Sequence, residues 1–176
     1  MRYTSIRLQP FEQKKIAEHL LKLNVDDRRL RFGVALTDEG VHRHAAQIDM
    51  TRDAIFAVLA PNSDVIGLAH LARGCGYAEL GLSVWPLHRR RGIGTILVDL
   101  AASQCRHWHI GELFVHYFAD NVAMERLANK HGMRTVRTHG EVDGCLPIVT
   151  THDSLPHAYK PKPLLRPEAA AVIAAG

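Results

Sequence analysis

Arg89-Arg90-Arg91-Gly92-Ile93-Gly94-Thr95 is the segment whose residue types and spacing bear most directly on chemistry. Three arginines precede two glycines, between a run that reads as a strand and a run that reads as a helix. The first N–H groups of a helix have no intrahelical acceptor, and with the helix dipole they form a site for an anion. Gly92 and Gly94 lack a Cβ, so a bulky anion can approach the backbone. The arginines add long-range attraction and forked donors. A diphosphate suits such a site; a solvated charged turn is the plainer alternative. Two familiar phosphate loops do not fit. The P-loop pattern G-x-x-x-x-G-K-S/T is absent, and the order R-x-x-G-x-G differs from the dinucleotide fingerprint G-x-G-x-x-G.

Other reactive residue types give weaker patterns. Twelve histidines include the pairs His42/His44 and His107/His109. Spacing of two points side chains apart on a helix, and no zinc-type motif accompanies them, so no metal site is expected. Three cysteines, Cys75, Cys105 and Cys145, are odd in number and widely spaced. They read as reduced thiols of a cytoplasmic protein rather than a disulfide framework. The N-terminal residues show no apolar signal region, and no run reaches transmembrane length, so no membrane partner is expected. A net charge of +4 favours an anionic partner only mildly. Aromatic content is 6% and the other arginines are scattered, so a nucleic-acid surface is disfavoured.

The elements that must position the arginine–glycine segment follow from hydrophobic period. Residues 3–8 read as a strand, and Pro10 opens a helix over 11–23 with Phe11, Ile16, Leu20, Leu21 and Leu23 on one side. The stretch 24–33 reads as a turn or brief helix closed by Gly33. Thr37-Asp38-Glu39 starts another helix. Residues 54–60, 65–72 and 77–85 read as three antiparallel strands. In the third, Leu80, Leu82 and Val84 share one face, and Glu79, Gly81 and Ser83 the other. A helix follows from Gly92, then a strand over 112–118. Asp120 is expected to cap a helix running to about His131. Residues 133–150 hold two short strands broken at Gly140 and around Asp143-Gly144. The expected division is a domain over 1–150 and a Pro/Ala-rich tail over 151–176. The class is α/β with a mixed, mostly antiparallel sheet flanked by helices.

The stretch "AELGLSVWPLHRRRGIGTILV" resembles the fourth strand, pyrophosphate loop and following helix of GNAT-type N-acetyltransferases, whose loop pattern is R/Q-x-x-G-x-G/A. "NVAMERLANKHGM" at 121–133 resembles the family's second signature. The resemblance extends loosely over residues 3–150 and implies a GNAT-like fold with acetyl-CoA as cofactor. It implies that Leu82, Ser83 and Val84 lie along the pantetheine arm, with the backbone of Leu82 and Val84 pairing to it like an added strand. It implies that Arg89, Arg90, Arg91, Gly92, Ile93, Gly94 and Thr95 surround the pyrophosphate, and that Asn121 contacts the pantetheine end.

Acetyl transfer to an amine needs a neutral amine, and lysine-like amines are mostly protonated at neutral pH. Glu79, on the strand beside the cofactor site, is the expected general base. The family's usual tyrosine acid, seven residues after the Asn, is replaced by Ala128, so water or another residue would serve as acid, with Tyr117 on the neighbouring strand as the candidate side chain. Arg29, Arg31 and Phe32 lie where the family borders its acceptor. The expected activity is direct transfer of an acetyl group from acetyl-CoA to a primary amine of a small molecule or protein. A non-catalytic acyl-CoA-binding or regulatory domain is the alternative. A homodimer is left open.

Overall fold

A computed structural model describes residues 3–149, so the expected tail over 151–176 lies outside the described residues. In chain order the elements are β1 (Thr4–Arg7), α1 (Lys14–Leu21), α2 (Val25–Phe32), α3 (Asp38–Gln47), β2 (Ala54–Leu59), β3 (Val65–Arg73) and β4 (Tyr77–Val84). Then follow α4 (Ile93–His107), β5 (Glu112–Phe118), α5 (Val122–Lys130), β6 (Arg134–Thr138) and β7 (Glu141–Pro147). The strands form one seven-stranded sheet in the order β1-β2-β3-β4-β5-β7-β6. Every pairing is antiparallel except β4 with β5.

Alternation along the strands divides the core into two layers. Helices α1 to α3 bury Ile16, Leu20, Phe32 and Val41 against Ile55, Ala57 and Leu68. On the other face α4 buries Leu97, Val98 and Ala101 against Val58, Ala69 and Leu71. Full burial of each such large side chain contributes roughly 1.5–3 kcal/mol. The start of α4 is seated by Gly67 of β3. A Cβ there would lie 2.5 Å from Ile93 Cγ2 and 3.4 Å from Leu97 Cδ1. That missing side chain lets the first turn of α4 approach the sheet closely, which sets the position of the arginine–glycine loop.

Three local expectations are corrected. The helix expected over 11–23 is divided: a 3₁₀ turn at Pro10–Glu12 precedes α1. The tighter turn rotates Phe11 off the apolar stripe, and it is 86% exposed. Asp120 does not cap α5; Asn121 does, its side-chain oxygen accepting from the Met124 N–H at 3.1 Å. The expected break at Asp143-Gly144 falls inside β7. Gly144 is there because β5 packs against it, a Cβ standing 2.7 Å from Val115 Cγ2. The segment read as a turn or brief helix is α2, capped by Asn24 and closed by Gly33 at φ 81°. His42 is exposed and His44 buried, as their spacing requires.

Candidate functional site

The site is a cleft of about 530 Å³ where β4 and β5 part. Their parallel pairing covers Tyr77↔Glu112, Ala78↔Leu113 and Glu79↔Phe114. Beyond Glu79 the two strands diverge while β4 continues along β3 as far as Val84. The hydrogen-bond parity of β4 decides what faces the opening. Trp85 N–H donates to Ile66 O at 2.9 Å and Gly74 N–H to Tyr77 O at 2.9 Å. In an antiparallel ladder bonded pairs alternate, so the odd residues of β4 direct their backbone groups at β3. Leu80, Leu82 and Val84 therefore direct their N–H and C=O groups toward the parted side. This strand edge has the form that an extended amide-bearing chain can join.

The arginine–glycine loop closes one end. Arg90 at φ 58° and Gly92 at φ 82° both take left-handed conformations, the kind of backbone that turns successive N–H groups to one side. The first hydrogen bond of α4 runs from Ile96 N–H to Gly92 O at 3.1 Å. The amides of Ile93, Gly94 and Thr95 lie before it, at a helix N-terminus that can hold an anion. Gly94 faces α5, where a Cβ would sit 3.4 Å from Leu127 Cδ2. Lys130 donates to Thr95 Oγ1 at 3.0 Å, which ties the second signature segment to the loop. Arg90, Arg126 and Lys130 all line the cleft.

Arg89 is placed differently from its neighbours. Its Nε donates to Val84 O at 3.1 Å and its Nη2 pairs with Asp27 of α2. It braces α2 to the end of β4, as well as lining the cleft. The second oxygen of Asp27 is buried with no hydrogen-bond partner among the described residues. Ser83 lines the cleft beside Leu82 and Val84. Its hydroxyl meets His19 Nε2 at 2.8 Å and its backbone belongs to the β3 ladder. The Val65 carbonyl, 2.7 Å from His19 Nδ1, can only accept, so Nδ1 carries the proton and Nε2 accepts from Ser83. Burial pushes the pKa of His19 down to about 4.

A smaller pocket of about 50 Å³ adjoins the cleft and shares Leu30, Arg31, Leu80, Gly81, His116 and Tyr117 with it. Glu79 lines this pocket, on the α2 face of the sheet as its alternation predicts. Arg31 reaches across from α2 and lays its guanidinium on Gly81, where any Cβ would collide with it. Burial lowers the pKa of Arg31 to about 10, with the Glu79 carboxylate opposing the shift. Phe32 lines the same pocket while packing its ring 4.9 Å from that of His44. Arg29 is not brought in: it pairs with Asp120 at 2.6 Å and lies 4.9 Å over the Phe118 ring.

Tyr117 lies on β5 with its ring on the face opposite Glu79 and Phe114. Its hydroxyl donates to Glu125 Oε2 at 2.9 Å, and burial together with that carboxylate pushes its pKa up to about 12. Its proton is held, which weakens the expected role as an acid. Ala128 is fully buried in the core. Asn121 lines the cleft, but its carboxamide oxygen is engaged in capping α5. Burial raises the Cys105 thiol to about 12, which removes it as a nucleophile. His116 was not singled out from sequence. It lines both pockets, with Nδ1 2.8 Å from Asp143 Oδ1 and Nε2 3.6 Å from Glu141 Oε2. The one available signal is a histidine in the otherwise apolar run Leu113–Phe118, on the face that alternation shares with Glu79.

Comparison with known proteins fits this geometry. No curated protein sequence matches the chain significantly. Among solved structures, the GNAT domain of PAT from S. lividans is 18% identical with a TM-score of 0.70, covering 82% of this chain and 90% of that one. A GNAT superfamily phosphinothricin acetyltransferase from Sinorhizobium meliloti, solved with AcCoA, is 16% identical with a TM-score of 0.67, over 96% and 97% of the two chains. The ribosomal-protein-S18-alanine N-acetyltransferase from Escherichia coli is 17% identical with a TM-score of 0.64, over 89% and 100%. At these identities the likeness is one of fold. Residues 12–133 match the Acetyltransferase (GNAT) family, and the parted strands and glycine loop lie within that span; the chain belongs to this family.

Proposed function

We propose that the chain is an acetyl-CoA-dependent N-acetyltransferase acting on a primary amine. The observation that carries this reading is the cleft between β4 and β5, with outward backbone groups of Leu82 and Val84 at one side and helix-start amides at the end. The residues present fit coenzyme A. An amide-bearing arm suits the strand edge, a diphosphate suits the amides of Ile93, Gly94 and Thr95, and the unpartnered Asp27 oxygen suits a hydroxyl or amide donor. Arg90, Arg126 and Lys130 supply positive charge around that end, whereas Arg91 is exposed and does not line the cleft. Asn121 holds the start of α5 against the cleft.

Bound acetyl-CoA supplies an activated thioester. The net exchange forms an amide C–N bond and breaks the thioester C–S bond: an ammonium and acetyl-CoA give an acetamide, a free thiol and one proton. Glu79, in the smaller pocket, takes a proton from the incoming ammonium, directly or through water. His116, braced by Asp143, lines both pockets and can pass that proton outward. The thiolate draws its proton from solvent, since the Tyr117 hydroxyl is held by Glu125. We read the protein as cytoplasmic, a compartment that suits its free thiols.

The buried Ala128 and the engaged Tyr117 favour one second reading, a domain that binds acyl-CoA without turnover. Thiol release from acetyl-CoA across a panel of amines, with product mass measured, separates the two. Acetylated product with one thiol per amide supports the enzyme. Saturable acetyl-CoA binding with no product from any amine supports the second reading.

A further inference from the structure

The smaller pocket carries more information than a site for any amine. The guanidinium of the half-buried Arg31 lies against Gly81 and 5.0 Å over the Phe32 ring, on the wall that the cleft and the smaller pocket share. A planar guanidinium with five donors at such a wall can take an incoming carboxylate on two of them. It stands where the cleft and the smaller pocket meet, so such an anion would lie beside the reacting end. Around it are Glu79, Glu141 and His116, groups that favour a cationic nitrogen. The pocket therefore offers one cation and, across from it, carboxylates. Its volume of about 50 Å³ leaves room for roughly three to five heavy atoms, taking about one water-sized atom per 10–15 Å³. An ammonium nitrogen, the carbon bearing it and a carboxylate make five.

We propose that the acceptor is a small zwitterion, an α-amino acid or close analogue, whose carboxylate pairs with Arg31 while its amine faces Glu79. This rests on the acetyltransferase reading and adds no new step to the exchange described above. Arg31 acts as a binding residue that sets specificity. The bidentate fork suits a carboxylate, and an amine that lacks one forgoes that pair.

The test compares matched acceptors: free amino acids and their amino amides, which differ only in the carboxylate. Isothermal titration into the CoA-saturated wild-type protein is expected to show the acid binding at least about tenfold tighter than its amide. Turnover with acetyl-CoA is expected to show the same preference in kcat/KM. In Arg31→Gln the acid-to-amide ratio should fall toward one, and Arg31→Lys should restore part of it. Gly81→Ala, which displaces the guanidinium, should lower the ratio in a protein whose melting temperature is checked in parallel. Equal binding of acid and amide, a preference that survives in Arg31→Gln, or binding by neither class would each overturn the proposal. Equal losses on both acceptors in Arg31→Gln would overturn it too, since they would mean that the arginine serves the reaction and not the carboxylate. Failure of acetyl-CoA itself to bind would instead sink the acetyltransferase reading.

Discussion

The proposed cofactor end and the proposed acceptor end of the cleft are made in different ways. The cofactor end is largely backbone: the parted edge of β4, the amides before Ile96, and glycines that keep space open. The acceptor end is largely side chains contributed by α2, β4, β5 and β7, namely Arg31, Glu79, His116 and Glu141. A backbone site needs a particular path of the chain, and that path tolerates many side chains. A side-chain site needs particular residues, which different members of a fold can change without altering the path. The two halves share one strand, β4, whose even residues turn their backbone to the cleft while its odd residues turn Glu79 and Gly81 to the acceptor.

The comparison predicts distinct consequences for changes in each half. The largest falls on the acceptor side. Glu79→Gln removes the proposed base and should lower kcat/KM by on the order of 10³-fold, about 4 kcal/mol, while acetyl-CoA affinity stays within a few-fold. A loss seen mainly in cofactor affinity would erase the distinction between the halves.

The next effect concerns the strand that they share. His19 pins Ser83 of β4, and its pKa is lowered from 6.5 to about 4. Between those values the unfolded chain binds the proton and the folded chain does not. Stability from this group is therefore complete above pH 6.5 and lost as pH falls toward 4. The loss is on the order of 3 kcal/mol, or roughly 10 °C in melting temperature. His44, pushed by burial down to about 3, adds to the same trend. Thermal melts from pH 7 to 4 check this, and an unchanged melting temperature would contradict it.

On the cofactor side, Gly94→Val places a branched side chain among the helix-start amides and against Leu127. Acetyl-CoA affinity should fall about 100-fold, about 2.7 kcal/mol, by titration. The smallest effect is expected at the brace between the halves. Asp27→Asn weakens the pair with the half-exposed Arg89 and should shift the melting temperature by less than about 4 °C, about 1 kcal/mol. A larger shift would make the brace a main determinant of the fold.

The same contrast explains what could be read from the sequence. The glycine loop, the alternation of β4 and the start of α4 are local patterns, and the structure places each as its period requires. The parting of β4 and β5 is a property of two strands distant in sequence, and became legible only through the family resemblance. Arg31 was visible as one of several charges in α2, but nothing local separates it from Arg29. The fold makes the difference, because Gly81 of β4 receives one guanidinium and Asp120 takes the other. What engages Ser83 and Tyr117 was hidden from the sequence for a related reason. Their partners, His19 and Glu125, come from other elements and occupy the hydroxyl groups. His116 was passed over because its partner Asp143 lies on β7, which the sequence reading had broken at that residue.

The central claim is that the cleft between β4 and β5 holds acetyl-CoA by its backbone. Isothermal titration of acetyl-CoA into the wild-type protein and Gly94→Val tests it most directly. The account predicts saturable binding of one equivalent by the wild type, weakened about 100-fold in Gly94→Val. No detectable binding by the wild type at millimolar acetyl-CoA, or equal binding by both proteins, would contradict it.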